Sequence, residues 1–326
     1  MTSLAVTYTK SLKRFQSVIA LLVLCIVLGL LTDKFFTTAN GLNVLRQVAV
    51  NACIATGMTL IVLTAGIDLS VGSVLALCGA ITAGLLKNGL QFPSLDLYVG
   101  FTIAGAIIAG VIVGGLLGLF NGFTITSFKV PPFVATLAML TIARGFTMLY
   151  TAGHPISNLG DQFAYIGTGS LSGIPVPVWI AAVVVLLAVF ITQKTKLGRY
   201  IYAIGGNETA AKLSGIRINR VKLIVYSMGA AFAAIGGIIV TSRLDSAQPN
   251  AGISYELDAI AAVVIGGTSL SGGKGSVWGT VIGAVIIGVL NNGLVLLNVS
   301  PFWQQVVKGA VILLAVIIDK AGEKNE

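Results

Sequence analysis

Long apolar runs of about 18 residues, separated by short polar breaks, repeat along nearly the whole chain. Each run is long enough to cross a hydrocarbon core of about 30 Å as an α-helix. We therefore predict an all-α integral membrane protein that forms a single transmembrane domain over residues 1–326. About ten spans are predicted, at residues 16–32, 47–65, 70–87, 98–121, 133–150, 176–193, 222–241, 256–268, 277–297 and 302–318.

Two of the boundaries between spans are glycine-rich and polar. The span at 256–268 is too short to cross a bilayer comfortably and runs into SLSGGKGSVWG, so it either spans fully or is re-entrant. The second and third spans meet at TAGIDLSVGS, residues Thr64–Ser73. Irregular backbone at membrane depth is tolerated only where protein or a water-filled cavity surrounds it. We therefore expect broken or re-entrant segments at both places.

A weak internal repeat links the two breaks. GIDLS aligns with GTSLS, which pairs Gly66 with Gly267 and Leu69 with Leu270. FNGF aligns with LNNG, and VPPFV with VSPFW, at an offset near 170 residues instead of 201, so the first half is predicted to contain an additional helix. Duplicated halves with paired broken helices are a common plan for transporters.

Glycine recurs at every fourth position of the fourth predicted span, at Gly110, Gly114, Gly118 and Gly122. This spacing makes one smooth stripe on a helix, where another backbone can approach closely. We predict that the stripe packs against a helix of the same chain, with a dimer contact as the alternative.

The basic residues sort by side of the membrane. With the N-terminus inside, fourteen of the twenty Lys and Arg residues fall on the cytoplasmic side and four on the outer side. Because cytoplasmic loops are enriched in basic residues, both termini are predicted to be cytoplasmic. The net charge of +9 then reflects topology, and the predicted non-protein partner is the lipid bilayer and not nucleic acid.

The most basic loop, residues 194–222, contains seven Lys and Arg residues and one acid, Glu208. Gly205 and Gly206 break the preceding structure, Asn207 is a good helix cap, and ETAAKL forms a short helix that ends before Gly215. A loop that only contacts anionic lipid needs no capped helix. We therefore favour a docking element on the cytoplasmic face.

The residues that enzymes and metal sites require are scarce. The single histidine, His154, lies in an outward loop, so no His metal cluster and no Ser-His pair can form. The segment GTSLSGGKGS fails the phosphate-loop pattern, because Thr268 replaces its first glycine and Gly275 its hydroxyl residue. Cys25, Cys53 and Cys78 lie in apolar runs without metal-ligand spacing. We expect no metal and no cofactor on this chain, and energy from a gradient or a partner.

Amides and hydroxyls within the spans are candidates to line a path for an uncharged polar solute, because unpaired polar groups in a dry path are unfavourable. Some of these groups are expected to bond helices together instead. The principal candidates are Asn51, Thr59, Asp68, Asn121, Asn291 and Asn292; Thr56, Thr136 and Thr141 are further ones.

Three charged residues within or beside the spans have structural interpretations. Asp68 is a candidate for the path, but capping of the third span is favoured. Arg144 is expected to snorkel to an interface. Lys308 is expected to pair with an acid such as Asp258 or Glu256 near the outer face.

Several long segments resemble the sugar permease subunits of bacterial ABC importers, and among these most closely ribose permeases. They are GMTLIVLTAGIDLSVGSVLAL, VPPFVATLAMLTIARGFTMLYTAG, KLGRYIYAIGGNETAAKLSGI and SAQPNAGISYELDAIAAVVIGGTSLSGGKG. The resemblance is collinear and covers nearly the whole chain after the first span.

This resemblance implies a non-enzymatic permease of the bacterial inner membrane that moves ribose or a related monosaccharide inward. It implies a homodimer that binds cytoplasmic ATP-binding cassette subunits, which hold ATP and Mg²⁺, and a periplasmic sugar-binding protein. Carried over by position, the ATPase-coupling residues are Gly205, Gly206, Asn207, Glu208, Ala211, Leu213, Ser214 and Gly215. Candidate contacts for the binding protein are Arg243, Asp245, Glu256 and Asp258.

Two other classes of function fit some of these features. A self-sufficient secondary transporter or channel for a small polar solute also uses broken spans, but it normally needs in-membrane acids for ion coupling and has no use for a coupling helix. A membrane-embedded enzyme is disfavoured, because the chain lacks the catalytic groups.

Overall fold

The computed structural model describes the backbone of residues 3–92, 94 and 96–323, and the side chains of residues 17–91, 94 and 96–317. The helices are α1 Ser3–Leu31, α2 Thr38–Val62, α3 Val71–Asn88, α4 Ile103–Ser127, α5 Pro132–Thr151, α6 Asp161–Thr168, α7 Val176–Lys194, α8 Lys196–Gly206, α9 Glu208–Leu213, α10 Ile218–Arg243, α11 Tyr255–Ile265, α12 Val277–Leu296 and α13 Pro301–Glu323. Three short antiparallel strand pairs lie in the loops: β1 Leu90–Phe92 with β2 Leu97–Val99, β3 Ile156–Ser157 with β6 Ser246–Ala247, and β4 Ser170–Leu171 with β5 Ile174–Pro175.

Seven helices are long and apolar enough to cross a membrane, namely α2, α3, α4, α5, α7, α10 and α12. This confirms the predicted all-α integral membrane fold. The apolar parts of α1 and α13 are shorter where side chains are described, and α11 has 11 residues. The count of ten spans and the orientation of the termini stay predictions. The basic residues at positions 10, 13, 14, 320 and 324, on which that orientation partly rests, lie outside the described side chains.

Three helices form the centre of the molecule. Most residues of α2, α3 and α10 are buried, whereas most residues of α4, α5 and α7 are at least partly exposed. α10 packs against α2, α3 and α4, and α2 also packs against α7, α11 and α12. The exposed side chains of the outer helices are often large and apolar, such as Leu116 on α4 and Phe190 on α7. Apolar exteriors of this extent fit contact with lipid or another subunit.

The glycine stripe of α4 packs within the chain, as predicted. Gly114 lies against Ala230 and Ala234 of α10, and a Cβ at Gly118 would overlap the Tyr226 carbonyl. Gly122 lies against the backbone of Leu223. The stripe therefore lets the backbones of α4 and α10 come together without intervening side chains.

Two turns interrupt the apolar helices at the predicted breaks. Residues 63–70 separate α2 from α3, and residues 266–276 separate α11 from α12. Four glycines of the second turn, Gly267, Gly272, Gly273 and Gly275, have positive φ angles that residues with a Cβ rarely adopt. The aligned repeat segments lie in these turns, within α4 and α12, and immediately before α5 and α13. In this alignment α3 takes the place of the predicted additional helix.

Candidate functional site

The basic loop folds into a short capped helix, as predicted. Helix α9 begins after Asn207, whose Oδ1 accepts a hydrogen bond from the backbone N–H of Ala210 at 2.9 Å. The Nζ of Lys222, on α10, lies 2.8 Å from Oε2 of Glu208 in the first turn. Gly215, at a φ of +82°, follows the helix. The cap and the ion pair therefore fix α9 at the start of α10.

The two apolar side chains of α9 predicted to contact a partner point in different directions. Ala211 is 4% exposed and belongs to the hydrophobic core, whereas Leu213 is 84% exposed. Gly206, Asn207, Glu208, Ser214 and Gly215 are also exposed. Ala211 thus anchors α9 to the protein, and Leu213 is the large apolar side chain of this helix that remains available to another protein.

The end of α8 contacts both breaks. The backbone N–H of Gly273 donates to the carbonyl of Leu63 at 3.1 Å, which joins the second turn to the first. Gly205 lies so close to these two residues that a Cβ there would overlap the Leu63 oxygen and the Gly273 nitrogen. We call this contact of Leu63, Gly205 and Gly273 the glycine junction. It places the segment that precedes α9 directly on both irregular segments.

A hydrogen bond from Tyr202 adds a second link between α8 and the break after α11. Its hydroxyl donates to the carbonyl of Gly275 at 3.0 Å. Burial raises the pKa of the Tyr202 phenol, so the group stays protonated and can donate at neutral pH. Helix α8 is therefore held to the break by a side chain as well as by backbone packing.

Asp68 lies two residues before α3 and bonds to Ser70, the N-cap residue, whereas the favoured interpretation placed its carboxylate on the first free N–H groups of the helix. Its Oδ1 accepts hydrogen bonds from the backbone N–H of Ser70 at 2.8 Å and from the Ser70 hydroxyl at 2.6 Å. The side-chain amide of Asn121 donates to the same hydroxyl at 3.0 Å. Asp68 and Ser70 are fully buried. These contacts brace the first break against α4.

Two further path candidates join helices to each other. The hydroxyl of Thr59 donates to that of Thr280 at 2.7 Å, between α2 and α12. The amides of Asn292 and Asn40 exchange two hydrogen bonds, of 3.1 and 2.8 Å, between the same helices. Asn121 is also engaged, whereas Oδ2 of Asp68 is buried without a hydrogen-bond partner among the described residues. Asn51, Asn291 and Oδ2 of Asp68 are therefore the principal candidates left for contact with a solute.

A small polar cavity of about 210 Å³ lies at the other end of α10 from α9. We call it the outer cavity. It brings together two of the remaining path candidates, Asn51 and Asn291, with two residues predicted to contact the binding protein. Its polar lining includes Gln47, Asn51, Arg243, Asp258, Asn291 and Lys308.

An ion pair forms one wall of the outer cavity. The Nζ of Lys308 lies 2.9 Å from Oδ2 of Asp258, which confirms the predicted pairing of Lys308. The side-chain amide of Asn291 donates to the same oxygen at 3.2 Å. Its Oδ1 is buried and has no hydrogen-bond partner among the described residues. An unsatisfied buried acceptor costs about 1–3 kcal/mol, which points to a partner outside the protein chain.

Asp245 and Glu256 do not line the outer cavity. Oδ1 of Asp245 accepts a hydrogen bond from the backbone N–H of Leu159 at 2.9 Å. Glu256 lies against Gly72 at the start of α3. Nη1 of Arg144 donates to the carbonyls of Pro249 and Ala251, at 2.7 and 2.9 Å, so Arg144 holds the segment before α11.

Three polar lining residues of the outer cavity were not among the residues for which the sequence analysis predicted a role. They are Gln47, Tyr255 and Gln304. Each is a polar residue near the outer end of a predicted span, and this position is the sequence feature that could have identified it as a lining residue. Among the described residues, no group of three or more His, Cys, Asp and Glu side chains is arranged to hold a metal ion.

Comparisons with known proteins agree with this architecture. The family model described as branched-chain amino acid transport system / permease component matches residues 40–316. The ribose import permease protein RbsC of Haemophilus influenzae is 51% identical over 308 residues, covering 93% of this chain and 92% of the relative.

Two further relatives cover the chain to a similar extent. The ribose import permease protein RbsC of Bacillus subtilis is 50% identical, covering 93% of this chain and 91% of the relative. The D-allose transport system permease protein AlsC of Escherichia coli is 38% identical, covering 94% and 91%. No solved structure matches the chain. This chain of membrane helices therefore belongs to the family of transport-system permease components that the matching model describes.

Proposed function

We propose that this chain is the permease subunit of an ATP-binding cassette importer that moves ribose or a related monosaccharide into the cell. The proposal rests on the contact of the capped cytoplasmic segment with both breaks, in a chain about 50% identical to ribose import permeases. A movement imposed on α9 reaches both irregular segments through the glycine junction. Rigid-body movement of a docked element is a known means of switching between states.

ATP and Mg²⁺ bind to separate cytoplasmic cassette subunits in this proposal, and the permease is not itself an enzyme. The proposed docking surface consists of those predicted coupling residues that are exposed, namely Gly206, Asn207, Glu208, Leu213, Ser214 and Gly215. Gly205 and Ala211 do not contact the partner in this proposal. Gly205 packs in the glycine junction, and Ala211 anchors α9 in the hydrophobic core. The chain binds no cofactor of its own.

The proposed topology has ten membrane-crossing or re-entrant helices in the bacterial inner membrane, with both termini in the cytoplasm. The start of α10 supports the orientation, because Arg217, Arg220 and Lys222 surround it. Two copies of the chain form the membrane part of the transporter. The exposed apolar faces of the outer helices could form the contact between the two copies.

The periplasmic binding protein is proposed to dock near the outer ends of α10 and α11, where Arg243, Asp245, Glu256 and Asp258 lie. Surface charges in such a position steer association and set its register. Asp258 is 4% exposed and paired with Lys308, so it contributes by shaping the outer cavity rather than by direct contact.

Ribose uptake into proteoliposomes tests the proposed function. Radiolabelled ribose is supplied with enclosed ATP, and the purified cassette subunit and binding protein are each added or withheld. Uptake that requires both partners and ATP supports the importer. Uptake by the chain alone contradicts it and favours a secondary transporter or channel, and absence of uptake with every component present contradicts ribose as the solute.

Replacing Leu213 with aspartate is expected to uncouple the transporter without unfolding it. The side chain is 84% exposed, so the change removes an apolar contact with the partner and not a core contact. A lost interface anchor costs about 2 kcal/mol or more, which is more than tenfold in affinity. Copurification of the cassette subunit and ATP hydrolysis stimulated by the binding protein are measured. Lys212→Ala, which changes the exposed neighbour, is the control; equal hydrolysis in Leu213→Asp and the control contradicts the assignment.

A further inference from the structure

The outer cavity has the volume of one small solute. Its 210 Å³ corresponds to about seven water molecules, at roughly 30 Å³ each in the liquid. Pockets for drug-sized ligands are larger, at about 300–1,000 Å³. A single pentose or hexose is compatible with this space, whereas a disaccharide is too large for it.

The lining of the outer cavity has unused hydrogen-bonding capacity of both kinds. The side chains of Gln47, Asn51 and Arg243 form no hydrogen bond with other described residues, and the buried Oδ1 of Asn291 has none either. Arginine donates only, whereas amides both donate and accept. Sugar hydroxyls do both as well, so they can satisfy donors and acceptors placed side by side.

The charges in the outer cavity disfavour a cation as the occupant. The carboxylate of Asp258 is already paired with Lys308, which leaves the guanidinium of Arg243 as the charge without an ion-pair partner among the described lining residues. A metal or ammonium ion has no free carboxylate to bind there. A neutral hydroxyl-rich molecule gains charge-assisted hydrogen bonds from Arg243 instead.

We propose that the outer cavity binds one monosaccharide within a single subunit and that Asn51, Arg243 and Asn291 hold its hydroxyl groups. This inference rests on the proposed sugar transport. It assigns the sugar a holding site inside one chain, at the outer end of α10. It also assigns Arg243 to the solute in addition to any contact with the binding protein.

Protection of an introduced cysteine from a membrane-impermeant thiol reagent tests the site. Val295 lines the outer cavity, is 57% exposed and is not a proposed sugar contact, so V295C reports on occupancy without removing a ligand group. The full-length permease with Cys25→Ser is reconstituted alone in lipid vesicles; the remaining cysteines, Cys53 and Cys78, are buried. Labelling is followed over a ribose series and a sucrose series of matched osmolarity.

Ribose is expected to slow the labelling of V295C severalfold, while sucrose leaves the rate unchanged. L171C, on the exposed loop between α6 and α7, is the matched control and is not protected. Adding Asn291→Leu or Asn51→Leu to V295C abolishes the protection. Labelling of V295C that is unaffected over the whole ribose series, or that sucrose slows equally, overturns the proposal.

This result is separable from the outcome of the uptake experiment, because it needs neither ATP nor a partner. Protection together with uptake by the chain alone, without ATP or partners, retains the sugar site and rejects the importer. Uptake without protection retains the importer and rejects the sugar site.

Discussion

Replacing Gly205 with alanine is expected to abolish coupled transport. The added Cβ overlaps the carbonyl oxygen of Leu63 and the backbone nitrogen of Gly273, so one of the three backbone segments must shift. Overpacking of this kind costs about 1–3 kcal/mol, and backbone atoms relax less readily than side-chain ends. Because the junction connects α8 to both breaks, the shift separates the docking segment from the parts it is proposed to move.

The neighbouring glycine provides a matched control. A Cβ at Gly206 has no atom within 4 Å, and both residues end the same helix. ATP-driven uptake by Gly205→Ala is expected to fall at least about tenfold, corresponding to roughly 1.4 kcal/mol in a barrier. Gly206→Ala adds a methyl group to the exposed docking surface without overlapping any atom, so its uptake is expected to fall much less. Thermal unfolding in detergent measures the stability of both variants. Similar uptake by the two variants would show that the close contact has no part in coupling.

Replacing Lys308 with methionine is expected to destabilise the protein by about 3 kcal/mol or more, since it leaves the carboxylate of Asp258 buried without its cation. The Asp258 side chain is 5% exposed and that of Lys308 20%. Among the described side chains, the Asn291 amide is then the remaining hydrogen-bond donor to this carboxylate. The midpoint of thermal unfolding in detergent is the measurement.

Two comparisons separate the loss of the ion pair from the loss of a long side chain. Adding Asp258→Asn to Lys308→Met removes the unpaired charge, so most of the stability is expected to return. Lys222→Met breaks the pair with Glu208, whose side chain is 52% exposed, and such exposed pairs contribute about 1 kcal/mol or less. If Lys308→Met and Lys222→Met unfold at the same temperature, the Asp258 pair does not stabilise the fold.

The apolar pattern predicted the positions of the helices better than their starts. α2 begins at Thr38, although the apolar pattern placed the second span at residue 47. The intervening TANGLNVLR contains polar residues that lower its hydropathy. The helix forms because the Thr37 hydroxyl caps it at the N–H of Asn40 and because Asn292 satisfies the buried amide of Asn40. The second of these contacts joins residues 252 positions apart, so a local pattern does not contain it.

The difference between local and long-range contacts also explains which parts of the candidate site were predictable. Helix α9 depends on a cap, two glycines and a short run of helix formers, all within about ten residues, and the sequence predicted it. Its six residues are too few to define a buried face by periodicity, so the inward position of Ala211 was not foreseen. The outer cavity gathers residues as distant as Asn51 and Lys308, and only the packing of five helices reveals it.

Helix α10 connects the two regions on which these predictions depend. It starts at Ile218, directly after the docking loop, and ends at Arg243 in the outer cavity, so its 26 residues extend about 39 Å. The glycine stripe of α4 lies against its backbone and leaves little soft side-chain packing between the two helices. A tilt of α10 that begins at Ile218 therefore also displaces Arg243, at the opposite end of the same helix. One continuous helix then makes the proposed sugar site and the proposed docking segment parts of a single moving body.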